Sequence, residues 1–105
     1  MSAAEAVVAR FSGTGAARAV ATNLVLAVGA RTPLTVEQLD ELAMAVDAVL
    51  THSQRPTVTI DPTATGMRIR VGPADIAWVE RNRQLLEPLV TGLDLDGEDV
   101  ALEVG

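Results

Sequence analysis

Two hydrophobic rhythms run along this chain, one near 3.6 residues and one of two residues, and they divide it into helices and strands. Between Thr14 and about Ala30, Ala17, Val20, Ala21, Leu24 and Val28 recur three and four positions apart, laying one apolar stripe along a first helix. Gly29 is a natural stop for it. The segment "TPLTVEQLDELAMAVDAVLTHS" carries the strongest helical signal. Thr35 and Gln38 have the spacing of a capping box, in which a hydroxyl and an amide each satisfy a free N–H of the opening turn, and Leu34 can staple onto that turn. Leu39, Leu42, Ala43, Val46, Val49 and Leu50 follow at helical spacing. The helix should end near His52, because "SQRP" brings a proline.

Elsewhere the period is two. "EAVVARF", residues 5–11, reads as a first strand ending at "SGTG". "PTVTIDP" alternates Val58 and Ile60 with threonines, and "GMRIRVG" alternates Met67, Ile69 and Val71 with Arg68 and Arg70. These read as two half-buried strands paired through the turn "DPTATG". "ADIAWVERNRQLLEPLV" offers Ile76, Val79, Leu85, Leu86 and Leu89 as the buried side of a third helix, and "LDLDGEDVALEVG" is two alternating runs around Asp96-Gly97, a hairpin signal. The predicted order is β-α-α-β-β-α-β-β. That is an α+β two-layer sandwich, a mostly antiparallel sheet with helices on one face and the arginines of the third strand on the other. The expected core is Val20, Leu24, Leu39, Leu42, Val46, Val49, Ile60, Ile69, Val71, Leu86 and Leu89. With no repeat and no linker, residues 1–105 read as a single domain.

Composition narrows the chemistry. At 105 residues and 49% hydrophobic, one core is feasible without staples, and the absence of cysteine removes thiol nucleophiles, disulfides and cysteine-based zinc sites. The longest apolar run, "LVLAVGA", is far shorter than the roughly 20 residues of a membrane helix, so the chain reads as soluble and cytoplasmic. A net charge of −6, with scattered arginines and only Phe11 and Trp78 as aromatics, argues against nucleic acid as a partner.

The candidate residues are few. His52 stands at a helix end, where capping explains it better than catalysis, and there is no second His to share a metal. Asp40, Glu41 and Asp47 read as a solvated helix face rather than paired catalytic carboxylates. "SGTG" lacks the full phosphate-binding fingerprint, and "DLDGED" lacks the spacing of a calcium loop, so both read as turns. No catalytic, cofactor or metal residue is assigned. The residues assigned to a protein partner are Thr22 and Asn23 of the first helix, and Trp78, Arg81 and Arg83, because tryptophan and arginine are enriched at binding hot spots.

The order of elements, with "LTVEQLDELAMAVDAVLTHS" and "NRQLLEPLVTGLDLDGEDVALEV", resembles the small bacterial anti-sigma factors of the histidine-kinase-like (GHKL, Bergerat-fold) ATPases over most of the chain. In that family the second helix carries a glutamate that positions water and, four residues on, an asparagine that holds magnesium on ATP. Aligned on Ala45-Val46, those positions are Ala48 and His52. Alanine has no proton acceptor, and magnesium prefers oxygen donors to imidazole. The family's Asp-x-Gly-x-Gly loop is reduced to Asp75 in "VGPADIAW", and no glycine-rich lid follows. The resemblance therefore implies a degenerate member that has kept the scaffold and lost the nucleotide. It would bind a sigma factor or an anti-sigma antagonist, with homodimerisation common in the family. Two alternatives stay open: an ATP-dependent serine/threonine kinase with atypical ligands, and a structural homodimer.

Overall fold

The computed structural model describes residues 6–11 and 14–105, so Glu5, Ser12 and Gly13, on which parts of the strand and Gly-x-Gly readings rest, lie outside the described residues. The period-two segments form β1 (Val7–Arg10), β2 (Thr57–Pro62), β3 (Met67–Gly72), β4 (Gly92–Asp96) and β5 (Asp99–Val104). They make one sheet in the order β1-β2-β3-β5-β4, with every neighbouring pair antiparallel. Register follows the alternation, because a slip of one residue would turn every apolar side chain to water. Val7 pairs with Ile60, Ile60 with Ile69, Ile69 with Leu102 and Leu102 with Leu93, a continuous apolar row across all five strands.

The helices are α1 (Thr14–Gly29), α2 (Val36–Thr51), α3 (Ile76–Arg81) and α4 (Arg83–Leu86), the last running into a 3₁₀ turn at Glu87–Leu89. The expected α+β architecture is therefore the observed one. α1 and α2 form an antiparallel pair over the inner face of the sheet, and Val79 and Leu86 join the same core. The outer face carries Arg68, Arg70, Asp94, Asp96, Asp99 and Glu103, with Arg70 reaching Asp96 and Asp99 at 3.3 Å each. No helix among the described residues is long and apolar enough to cross a membrane.

Two expectations need correction. The third helix is not continuous. Asn82 (φ −113°, ψ 19°) leaves the helical region while its amide donates to the Trp78 carbonyl at 2.8 Å, so α3 ends there and a short α4 begins. On α1 the buried stripe is Ala17, Ala21 and Val25, while Val20 is 45% exposed and Leu24 is only half-buried. The inward side of α1 is set by how the helix packs on α2, and its C-terminal end comes close to that neighbour. A Cβ on Gly29 would collide with the Leu39 side chain and reach Met67. Leu89 is likewise half-buried rather than central.

Candidate functional site

The C-terminal end of α2 gathers most of the polar chemistry on the helical side. The capping box fixes the start of that helix: Gln38 N–H donates to Thr35 Oγ1 at 3.1 Å, and Thr35 N–H donates to Gln38 Oε1 at 2.9 Å. Sixteen residues of regular helix follow, so the angular positions of Asp47, Ala48, Thr51 and His52 are fixed from a well-anchored start.

Asp47 lies on a solvated face, as expected, but it has a partner there. Arg18 of α1 meets it in a two-pronged contact, Nε to Oδ1 at 2.9 Å and Nη2 to Oδ2 at 3.0 Å. The hydrogen bond to Asp47, then its charge, raises the Arg18 pKa above the ordinary arginine value. Both groups remain well exposed, so the pair sets the register of α1 on α2 more than it adds stability. Beside it lies a shallow depression of about 380 Å³ lined by Gly15, Arg18, Ala19, Thr22, Asn23 and Asp47. Thr22 spends its hydroxyl on the Arg18 carbonyl at 2.7 Å, and Asn23 is exposed at the rim. Asp40 and Glu41 make no ion pair among the described residues.

On the opposite flank, His52 is the C-cap of α2, and its ring stacks on the indole of Trp78 with centroids 4.2 Å apart and planes 21° from parallel. Trp78 is half-buried against the core and held from below by its own helix start, since Asp75 caps α3 by accepting from Trp78 N–H at 3.0 Å. Of the other two residues assigned to a partner, Arg83 bridges to Glu87 at 3.7 Å and donates to the Leu93 carbonyl at 3.3 Å, covering the free edge of β4. Arg81 is exposed and makes no ion pair among the described residues. Trp78 thus meets the end of α2, while Arg83 is occupied structurally.

Sequence reasoning missed two features. The Arg18–Asp47 contact spans 29 positions and the His52–Trp78 stack 26, so only the packing of α1 and α3 around α2 brings them together. Ser53, just past the helix, is also buried, donating to the Val49 carbonyl at 2.8 Å.

These residues do not fit a magnesium-nucleotide site. Ala48 packs against the core and offers no acceptor, the His52 ring is covered on one face by indole, and Asp75 is committed to capping. Among the described residues no group of three or more His, Asp or Glu side chains converges to hold a metal ion. No protein-family model matches the chain, and no characterised protein matches its sequence.

Proposed function

We propose that the chain is a non-catalytic regulatory module of the anti-sigma, histidine-kinase-like type, which acts by binding a sigma factor or an anti-sigma antagonist. The observation that carries this reading is the stack of Trp78 on His52. The resemblance puts Ala48 and His52 at two positions that serve ATP in that family, and here the imidazole of His52 is stacked on the Trp78 indole. The partner surface is then the end of α2 with its two flanks: Thr22 and the Arg18–Asp47 pair on one side, Trp78 and Arg81 on the other. A half-buried tryptophan and, three residues on, an exposed arginine that makes no ion pair among the described residues have the composition of a binding hot spot.

Calorimetry with magnesium-ATP tests the negative half. Wild-type protein should show no heat of binding, and neither should Ala48→Glu combined with His52→Asn, because Trp78 still fills the space and Asp75 still caps α3. Micromolar binding by the wild type would instead make the chain a kinase with atypical ligands. The positive half is tested by co-purification from the native cell followed by mass spectrometry, with Trp78→Ala as the comparison. Loss of one specific sigma-factor or antagonist partner in the variant supports the reading, and identical partner profiles overturn it.

A further inference from the structure

Where the first half of α2 runs beside the 3₁₀ turn, the surface dips into a groove of about 140 Å³ between Gln38 and Glu41 of α2, Leu89, Val90 and Thr91 after α4, and Val104 of β5. Leu89 and Val90 are half-buried and Val104 is buried, so much of the lining is aliphatic. Two of the polar side chains are committed within the protein: Gln38 Oε1 accepts from Thr35 N–H, and the Thr91 hydroxyl donates to the Glu103 carbonyl at 2.9 Å. Glu41 is the exception. It is half-buried, and its carboxylate has no hydrogen-bond or ion-pair partner among the described residues.

A carboxylate partly withdrawn from water and paired with nothing gives up hydration without compensation. A cation brought from outside restores the balance, and the aliphatic lining accepts the stem that carries it. Lysine and arginine have both parts, a methylene stem and a charged head. The volume points the same way. A groove of about 140 Å³ has room for one long side chain and is well below the roughly 300–1,000 Å³ of small-molecule pockets, so its occupant must be held by the rest of a chain. The protein supplies no such cation itself: α2 has no basic residue, and of its four acidic residues only Asp47 is ion-paired among the described residues.

We infer that this groove seats a lysine or arginine side chain of a basic protein partner, its stem on Leu89 and Val90 and its charge on the Glu41 carboxylate. Charge selects a basic partner over a second copy, because two chains of net charge −6 repel as they approach whereas a basic segment is drawn in. The groove also lies on the same flank of α2 as the stack of Trp78 on His52. Glu41 precedes His52 by eleven residues, three turns of helix, which is about 16 Å along the axis. A partner segment lying along that flank therefore carries its basic residue about 16 Å from the residue that meets Trp78. This rests on the reading of the chain as a protein-binding module, to which the groove adds the partner's chemistry.

Titration of the nitrogen-15-labelled full chain with N-acetyl-arginine methylamide and with its lysine counterpart, followed through amide chemical shifts, tests it. At least one of the two should give saturable shifts centred on Gln38, Glu41 and the segment from Leu89 to Thr91, with a Kd of about millimolar, as suits a ligand of that size. The norleucine counterpart, a stem without charge, and guanidinium chloride, a charge without stem, should bind more weakly than the probe. Glu41→Gln removes no internal contact, so its circular dichroism should match wild type while probe binding weakens roughly fivefold. Asp94→Asn, on the outer face of the sheet, should leave binding unchanged. No saturable shift at these residues with either probe, or shifts that Glu41→Gln leaves unaltered, overturns the inference. The same shifts appearing as the protein alone is concentrated would make the occupant a second copy and overturn it as well. The two readings fail separately. Probe binding together with identical partner profiles for wild type and Trp78→Ala removes the Trp78 surface and leaves the groove; a partner lost in Trp78→Ala without probe binding does the opposite.

Discussion

Arg55 adopts φ 48°, the left-handed region that costs a residue with a Cβ about 1–2 kcal/mol. Arg55→Gly removes that cost but gives the unfolded chain about 0.5–1 kcal/mol of extra freedom, so the expected net effect is stabilisation of up to about 1 kcal/mol. Arg55→Ala keeps the Cβ and should be close to neutral. Urea midpoints of the two variants separate the explanations: equal midpoints would mean that the left-handed backbone is not the cause. Gly97, at φ 62°, solves the same problem with the right residue. It stands first in the two-residue loop between the paired Asp96 and Asp99, where a II′ hairpin turn requires a glycine. The hairpin was legible from "DG", although Asp96 ends β4 and the loop is Gly97-Glu98, whereas nothing near Arg55 signals its backbone.

The second helix is the element whose structure follows most directly from its residues. Its capping box is present in full, and Leu34, one residue before the cap, packs against the core that includes Leu39 of the first turn. Thr35→Ala should cost about 1 kcal/mol, as loss of such a cap does, read as a lower unfolding midpoint with an unchanged denaturant slope. Thr35→Asp, which still offers an oxygen to the Gln38 N–H, should recover most of it. The third helix is the contrary case. Its apolar spacing persists through Leu89, but periodicity does not show whether the backbone stays helical, and where the helix breaks it misplaces Leu85, expected inside and 69% exposed. The Asn82 amide competes for the Trp78 carbonyl, and Pro88 cannot supply a helical N–H, so the segment breaks into α3, α4 and a 3₁₀ turn.

Across the whole molecule, the core is the contact between α2 and the inner face of the sheet. Leu42 is completely buried there, and Leu42→Ala should cost about 2–5 kcal/mol, a lost side chain plus the cavity it leaves. Val20→Ala, on the outer side of α1, should stay within about 0.5 kcal/mol. The two costs measured by chemical denaturation therefore test which face of each helix is inside; similar values would contradict the packing. The Arg18–Asp47 pair also belongs to this scale. Because Asp47 raises the Arg18 pKa, the contribution of the guanidinium is lost on the alkaline side only as pH rises through the arginine range. Added salt, rather than pH, is the practical probe, and it should shrink the coupling between Arg18→Met and Asp47→Asn in a double-mutant cycle.

The sequence by itself determined the order of elements, the cap of α2, the last hairpin and the strand faces, because each rests on interactions within a few residues or on a strict period of two. Only the tertiary structure decided which side of α1 is buried. There, transfer energy alone favours Val20 over Ala17, yet Ala17, Ala21 and Val25 are buried and Val20 stays 45% exposed, so the way α1 meets its neighbours, and not side-chain size, set the inward side. The site was decided at the same level. Thr22, Asn23, Trp78, Arg81 and Arg83 could be named from residue type, yet Arg83 proved to be tied to β4, and the partners of Asp47 and His52 lie 29 and 26 positions away. Contacts between elements leave no local period to read; they arise when burying one apolar stripe against another fixes the register in which the helices meet.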